Sequence, residues 1–327
     1  MQEPPRGGRT SSVVGKRARP EHPAPGRFLL SAQGARSRSD WRRRRARRRA
    51  GCLIGLVVLL AATFAVARIR SGTDHAARAA GNRAGPPAAL TRAVARRAAR
   101  AEEAVDRALR RTSYLVAGGS RRRDIALTFD DGPSPFTHQI VRILLRTHTP
   151  ATFFVIGRWA RTYPRMVALE ARDGFQIGDH TEDHAFLSLL PRLRQLNEIV
   201  DAARVIRRAG APAPVLFRPP YGAFNASTRA ILRARGLLMV LWSVDTSDYT
   251  RPGAARIVRA ALAGARPGAV ILMHDGGGDR SQTVAALPRI VTALRRRGYH
   301  LMTVPQLVLA DPPPRHQPPP QPLSGIG

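Results

Sequence analysis

The sequence is short of several residue types, and each shortage excludes a class of protein. Of 327 residues only Cys52 is a cysteine, so an intrachain disulfide cannot form and a disulfide-stapled fold is excluded. Lysine is represented by Lys16 alone, and there are 22 acidic residues against 54 Lys plus Arg. No glycine-rich phosphate loop opens a predicted helix, which argues against a nucleotide-binding enzyme. The length allows one or two folded cores with additional segments.

The positive charge is concentrated near the N-terminus. A net charge of +32 would ordinarily suggest nucleic acid or an anionic surface as a partner. However, 22 of these charges lie in the first 123 residues, and residues 124–327 carry only +10. We therefore expect no nucleic-acid partner. Because 43% of residues are hydrophobic and many fall in periodic runs, a wholly disordered chain is excluded.

The N-terminal third has the pattern of a membrane anchor. Residues 1–49 are rich in Pro, Gly, Ser and Arg, which predicts a disordered basic cytoplasmic tail. Residues 50–67 carry no charge and, as a helix, would nearly cross the hydrocarbon core of a bilayer. Since arginines precede this run, the N-terminus is expected in the cytoplasm and the rest of the chain outside the membrane. Cleavage after residue 67 would instead make the protein secreted.

Two flanking segments surround the predicted folded domain. Residues 68–121 contain a Gly-Pro-Pro break followed by strong helix formers, which indicates a linker with a helical stalk. Residues 310–327 are rich in proline and are expected to be extended and exposed.

Residues 122–309 alternate apolar runs with stretches of helical periodicity, as a βαβ chain does. Strands are predicted at residues 125–129, 151–156, 175–178, 215–217, 237–242, 269–273 and 300–303. About seven such repeats predict an α/β fold, a distorted barrel of parallel strands smaller than an eightfold one. An open doubly wound sheet is the alternative, which periodicity cannot distinguish.

Polar residues follow five of these strands, at the end where ligands bind in parallel α/β folds. They lie at 128–133 (TFDDGP), 179–184 (DHTEDH), 218–222 (RPPYG), 243–248 (SVDTSD) and 274–275 (HD). His180 and His184 are four residues apart, so on a helical turn both could reach one ion, with a carboxylate from another strand end. The alternative for this pair is two ordinary surface or capping histidines. Asp130 and Asp131 are adjacent, and Gly132-Pro133 ends the strand at once, which could turn both carboxylates into a site.

These five clusters, in this order, resemble the polysaccharide deacetylase family, the NodB-homology domain of carbohydrate esterase family 4. The resemblance implies a distorted (β/α) barrel over residues 122–309. It implies that Asp131, His180 and His184 hold a divalent metal, with Zn²⁺ expected and Co²⁺ or Ni²⁺ as alternatives. The family pattern is altered at Asp179, where Asn is common, and at Asp183, where a small Ser is usual. An extra carboxylate there could bind a ligand histidine or change the metal preference.

The resemblance also implies catalytic roles. Asp130 would be the general base, oriented by Arg218. His274 would be the general acid, oriented by Asp245, and the backbone N–H of Tyr221 would help to stabilise the oxyanion.

We therefore expect a hydrolase that removes N-acetyl groups from a cell-wall glycan containing N-acetylglucosamine, with peptidoglycan as the leading substrate. Chitin oligosaccharides and acetylxylan are alternative substrates. A non-catalytic protein that binds glycan, lipid or DNA is the alternative of another class.

Overall fold

The structure, a computed structural model, describes residues 88–318. It begins with helix α1 (Ala88–Leu109) and then alternates strands with helices. The strands are β1 (Tyr114–Leu115), β2 (Asp124–Asp130), β3 (Thr152–Val155), β4 (Gln176–Asp179), β5 (Leu216–Phe217), β6 (Leu238–Val240), β7 (Val244–Asp245), β8 (Val270–His274) and β9 (His300–Met302). The later helices are α2 (Thr137–Arg146), α3 (Gly157–Thr162), α4 (Pro164–Asp173), α5 (Arg192–Arg208), α6 (Ala226–Ala234), α7 (Ala254–Ala263), α8 (Ser281–Arg296) and α9 (Val304–Ala310).

The strands form one parallel sheet in the order β1-β6-β5-β4-β3-β2-β8-β7, with β9 also paired to β2. Strands β6 and β7 are separated by only three residues, although they pair at different ends of this path. The short connection draws the two ends of the sheet towards each other. The sheet is therefore a curled, incompletely closed barrel, which confirms the parallel α/β class.

The seven predicted strands are present, each within two residues of its predicted bounds. Strands β1 and β7 were not predicted, because two residues are too few to show a periodicity. The described sheet thus has nine strands instead of about seven.

Strand β2 lies between neighbours on both sides and is buried throughout. Its alternate residues Ile125, Leu127 and Phe129 belong to the core that the outer helices cover. Ala126 belongs instead to a second hydrophobic cluster, which includes Phe154 and Leu238. Asp130 lies on the same side of the strand as Ala126. The period of two therefore turns Asp130 away from the helices and towards the inside of the barrel.

Helix α1 packs against the domain, although its sequence predicted a stalk. Ala104, Val105 and Ala108 form one buried face in the same core as Phe154 and Leu238. These small side chains allow the helix to approach the barrel closely, which its Ala/Arg composition alone did not reveal. The described part of the expected linker, residues 88–121, thus contributes to the folded domain.

The start of the proline-rich tail also contacts the domain. The side-chain oxygen of Gln317 accepts the backbone N–H groups of Val116 and Ala117, at 2.7 and 3.0 Å. Arg111 donates to the carbonyl of Pro313 at 2.8 Å. The described tail residues are therefore bound to the domain, where the sequence predicted free extended chain.

Within residues 88–318, no helix has the length and apolar character needed to cross a bilayer. The span predicted at residues 50–67 lies outside the described part of the chain, as does the basic tail at residues 1–49.

Candidate active site

Three side chains from two strand ends meet at one edge of the sheet. The Nε2 atoms of His180 and His184 lie 3.5 and 3.1 Å from Oδ1 of Asp131. One ligand atom from each residue lies within 4.8 Å of the others, so the three can contact one ion. We call Asp131, His180 and His184 the metal cluster. These are the three ligands that the family resemblance implied.

The conformation of Asp131 explains how two adjacent aspartates reach the same site. Asp130 ends β2 in regular strand geometry, whereas Asp131 has a positive φ of 74°. This turn removes Asp131 from the strand alternation, which would otherwise point it away from Asp130. The sequence suggested such a turn from Gly132-Pro133, but the left-handed conformation of Asp131 is visible only in the structure.

Each histidine is oriented through the nitrogen that faces away from the metal cluster. His180 donates from Nδ1 to the carbonyl oxygen of Arg218 at 2.7 Å, so its Nε2 is free to act as a ligand. Nδ1 of His184 lies 3.1 Å from the hydroxyl of Tyr221. Asp183 is exposed and contributes neither of these contacts. Its possible role as a partner of a ligand histidine is therefore not seen.

The charge environment of the metal cluster suits a cation. Oδ1 of Asp131 is buried and faces the Nε2 atoms of the two histidines. Burial would raise the pKa of Asp131, but hydrogen bonds from His180 and His184 and the charge of His274 hold that pKa well below its usual value. An ionised, buried carboxylate beside two imidazole nitrogens is a donor set that a divalent ion fits.

Asp130 and Arg218 form a buried pair beside the metal cluster. Nη1 of Arg218 donates to Oδ1 of Asp130 at 2.7 Å and to the hydroxyl of Thr128 at 2.9 Å. The remaining guanidinium donors reach the carbonyl oxygens of Val240 and Leu241, each at 3.0 Å. Oδ2 of Asp130 lies 3.8 Å from Nε2 of His180. Arg218 thus fixes one carboxylate oxygen and leaves the other facing the metal cluster, the contact that its expected orienting role requires.

His274 lies beside Asp130, because β8 pairs with β2 in a register that places these two residues opposite each other. Its Nδ1 donates to Oδ1 of Asp248 at 2.8 Å, and its backbone N–H donates to Oδ2 of Asp248 at 2.8 Å. The prediction that Asp245 orients His274 was therefore wrong, and the partner is Asp248.

The position of the turn after β7 explains this correction. Asp245 ends β7, and its carboxylate accepts the backbone N–H of Ser247 at 2.7 Å and the hydroxyl of Tyr249 at 3.1 Å. A short 3₁₀ turn, Asp248–Thr250, then places the carboxylate of Asp248 in contact with His274. The sequence contains both carboxylates in one cluster, but choosing between them requires the path of this turn.

The environment of His274 favours its protonated form. Burial lowers the pKa of His274, but the charge and hydrogen bond of Asp248 raise it, with further increases from Asp131 and Asp130. The result is a pKa of about 9. At neutral pH His274 can therefore donate a proton.

Tyr221 lies at the outer side of the metal cluster in the left-handed region, with φ 61°. Its side chain is partly exposed, and the ring meets His184 edge-on at 4.7 Å between centroids. The oxyanion role expected for its N–H stays a prediction.

Two further buried carboxyl groups, to which the sequence assigned no role, lie behind the site. Asp275 is buried next to His274 and accepts a hydrogen bond from Thr137 through Oδ2, whereas its Oδ1 has no partner among the described residues. Burial and the charges of Asp131 and Asp130 raise the pKa of Asp275 to about 7, although Thr137 and His274 oppose the shift. Burial and the charge of Asp275 raise the pKa of Glu170 on α4 well above its usual value. Asp275 belongs to the strand-end cluster 274–275 but had no assigned role, and Glu170 is an ordinary helix position in the sequence.

Asp179, the other departure from the family pattern, is buried behind the metal cluster. Its Oδ1 accepts the backbone N–H of Thr181 at 2.8 Å, and burial raises its pKa well above the usual value. The neighbouring N–H of Asp183 is accepted by Glu198 on α5 at 2.9 Å. These two carboxyl groups hold the backbone of the loop that carries the histidines.

Comparisons with known proteins agree with this geometry. The family profile described as polysaccharide deacetylase matches residues 117–240. A chitooligosaccharide deacetylase of Bradyrhizobium sp. (strain ANU 289) is 40% identical over 213 residues, which cover 61% of this chain and 96% of that protein. A peptidoglycan-N-acetylglucosamine deacetylase of Bacillus cereus is 38% identical over 187 residues, or 56% of this chain and 87% of that protein.

Among solved structures, the Bc1960 peptidoglycan N-acetylglucosamine deacetylase superimposes with a TM-score of 0.59 and 32% identity, over 61% of this chain and 94% of that one. The fold, the metal cluster and these relatives lead to one conclusion: the chain belongs to the polysaccharide deacetylase family.

Proposed function

We propose that this protein is a metal-dependent hydrolase that removes N-acetyl groups from N-acetylglucosamine units of a cell-wall glycan and releases acetate. The observation that carries this proposal is the arrangement around the metal cluster. Asp130, fixed by Arg218, and His274, fixed by Asp248, lie beside the ligands on adjacent strands. A base and an acid placed next to a metal site are what hydrolysis of an unactivated amide requires.

The residues of the chain divide the proton transfers between them. Asp131, His180 and His184 would hold a divalent ion, which would supply Lewis-acid chemistry by polarising the acetyl carbonyl and acidifying water. Oδ2 of Asp130 accepts a proton from the attacking water, while Arg218 holds this carboxylate in place through Oδ1. The backbone N–H of Tyr221 is assigned to the acetyl oxygen, where negative charge develops.

His274 completes the reaction at the other side of the amide. The amine is a poor leaving group until its nitrogen is protonated, and His274 supplies that proton when the C–N bond breaks. Asp248 serves this step twice, because it fixes the orientation of the ring and raises its pKa. For the ion itself we propose Zn²⁺, with Co²⁺ or Ni²⁺ as substitutes, since two imidazoles and one carboxylate with an open position suit these ions.

Peptidoglycan is the substrate that we propose first. The relatives of similar identity are named as deacetylases of peptidoglycan and of chitooligosaccharides, so both glycans should be tested as substrates. The proposed location favours peptidoglycan: the apolar run at residues 50–67, preceded by arginines, supports a single-pass anchor with the domain outside the membrane. A domain held there would face the cell wall.

The test is acetate release by the purified full-length protein from peptidoglycan, chitin oligomers and acetylxylan. We expect release from the glucosamine-containing glycans, loss on chelation and recovery with Zn²⁺ or Co²⁺. Asp131→Asn should be inactive, whereas Asp183→Asn, which changes an exposed carboxylate outside the metal cluster, should retain activity. Glycan binding without acetate release from any substrate would support a non-catalytic binding protein instead.

A further inference from the structure

Exposed apolar side chains occur in the segments that follow β4 and β5, the two segments that carry His184 and Tyr221. Six large hydrophobic residues are exposed within the described chain, and four of them follow β4 and β5 at the end where the site lies. These four are Phe186, Leu189, Leu193 and Tyr221, of which Leu189 is 78% exposed. Single exposed hydrophobic residues are common, but a group beside a functional site indicates contact with a ligand.

The aromatic members of this group connect directly to the metal cluster. The ring of Phe186 stacks on that of Tyr221, with 5.1 Å between centroids and 21° between planes. The Tyr221 ring in turn contacts His184 at 4.7 Å, and its hydroxyl lies 3.1 Å from Nδ1 of this histidine. The ring of Tyr221 thus connects Phe186 to the metal-cluster residue His184. Phe186 itself is 39% exposed.

The loop that carries Phe186 is held in place by its own backbone and by the neighbouring helix. The N–H of Leu189 donates to the carbonyl of Phe186 at 3.1 Å, and Leu187 between them is fully buried. Asn225, which caps α6, donates from its side chain to the carbonyl of Ser188 at 3.2 Å. The exposed ring therefore lies on a fixed loop, which lowers the entropic cost of binding a ligand there.

We propose that Phe186 and Tyr221 form a platform for a sugar ring that neighbours the unit being deacetylated. This inference rests on the proposed function and identifies a residue that would select longer glycans. A β-linked glucosamine ring has equatorial substituents, so both of its faces present axial C–H groups. Such a face packs on the negative face of an aromatic ring, and the polar groups at the sugar's edge remain in water.

The position of the platform favours a neighbouring sugar over the reacting one. The reacting acetyl group must reach the metal cluster, Asp130 and His274, and Phe186 lies beyond Tyr221 from this point. A substrate too short to extend past Tyr221 would therefore not contact Phe186. If the platform binds a neighbouring sugar, KM should depend on the length of the glycan. The metal cluster alone would not produce this dependence.

The test compares Phe186→Ala with wild type on chitin oligomers of two and five sugars. We expect KM for the pentamer to rise roughly five- to tenfold with kcat little changed, because one aromatic contact is lost. KM for the dimer should be unchanged. Phe186→Tyr should behave as wild type, and Leu145→Ala on α2, which removes an exposed apolar side chain outside the group beside the site, serves as the control.

Two results would overturn the platform. Equal KM values for the pentamer in wild type and Phe186→Ala would show that the ring does not contact the glycan. An equal loss on dimer and pentamer, accompanied by weaker Zn²⁺ binding, would show that Phe186 only supports Tyr221 and His184. If wild type releases no acetate, the proposed function fails, and calorimetric binding of the pentamer to both proteins still tests the platform, since equal affinities would refute it.

Discussion

Asp248 holds His274 at two points. Its Oδ1 accepts the proton on Nδ1 of the imidazole, and its Oδ2 accepts the backbone N–H of the same residue, both at 2.8 Å. Thr283 on α8 donates to Oδ2 as well, at 2.7 Å. The ring is therefore fixed with Nε2 as the nitrogen that remains for substrate, and the buried carboxylate stabilises its charged form.

Replacing Asp248 should move the alkaline limit of activity. The rate needs protonated His274, so it falls as pH rises through the pKa of that residue, which is about 9. In Asp248→Asn the charge that raises this pKa is lost and burial, which lowers it, dominates. We expect the alkaline midpoint of kcat/KM, which reports the pKa values of the free enzyme, to shift down by about one pH unit or more.

Asp245→Asn is the matched control, because the carboxylate of Asp245 accepts hydrogen bonds from Ser247 and Tyr249, whereas Nδ1 of His274 donates to Asp248. Its alkaline midpoint should stay at the wild-type pH. A shift in Asp245→Asn with none in Asp248→Asn would restore the assignment that the family resemblance implied.

The Arg218–Asp130 pair should be essential for stability as well as for catalysis. Arg218 is fully buried, and its removal would leave the carboxylate of Asp130 buried without its cationic partner. In Arg218→Met we expect the free energy of unfolding in urea to fall by about 3 kcal/mol or more. The double variant Arg218→Met/Asp130→Asn should lose less than the sum of the two single variants, whereas additive losses would mean that the two residues do not interact.

Metal affinity should depend on the hydroxyl of Tyr221. This group lies 3.1 Å from Nδ1 of His184 and would fix the ring with Nε2 towards the ion. In Tyr221→Phe we expect the Kd for Zn²⁺, measured by competition with a chromophoric chelator, to rise roughly tenfold. Tyr163→Phe, at an exposed tyrosine on the N-terminal side of α4, should leave it unchanged. An unaltered Kd in Tyr221→Phe would show that this hydroxyl does not contribute to metal binding.

The buried carboxyl group of Glu170 should make stability depend on pH. Neither of its oxygens has a hydrogen-bond partner among the described residues, and burial raises its pKa well above 4.5. The unfolded chain loses this proton near pH 4.5, whereas the folded protein keeps it up to the higher pKa of the buried group. Between these two pH values the free energy of unfolding therefore falls as pH rises. Asp275 acts in the same direction between pH 3.8 and about 7.

Glu170→Gln removes one of these two ionisations. We expect the decrease in Tm between pH 5 and pH 8 to be smaller in this variant than in wild type, as measured by circular dichroism. Parallel Tm curves for the two proteins would contradict a protonated Glu170 in the folded state.

The sequence predicted the parts of the fold that rest on buried, regular strands. Strand β2 is fully buried and could be recognised from its apolar run, and the residues after it were recognisable as a site. The two-residue strands β1 and β7 offered no periodic signal. The packing of α1 was also hidden, because alanines at the same spacing suit both a free helix and one packed against a barrel.

Within the site, residue identity was easier to predict than partnership. The metal ligands lie in short motifs at strand ends, and they meet as expected. The choice between Asp245 and Asp248 depended on a left-handed residue, Ser247, that directs the turn between them. Glu170 and Asp275 could not be predicted, since their burial depends on how α4 and α2 pack behind the site.

The most direct test is a single comparison of acetate release from N-acetylglucosamine pentamer by wild type and Asp131→Asn, at equal protein concentration, before chelation, after it and after addition of Zn²⁺. The account predicts release by wild type that disappears with the metal and returns with Zn²⁺, and no release by Asp131→Asn in any condition. Undiminished release by Asp131→Asn, or by chelated wild type, would contradict it.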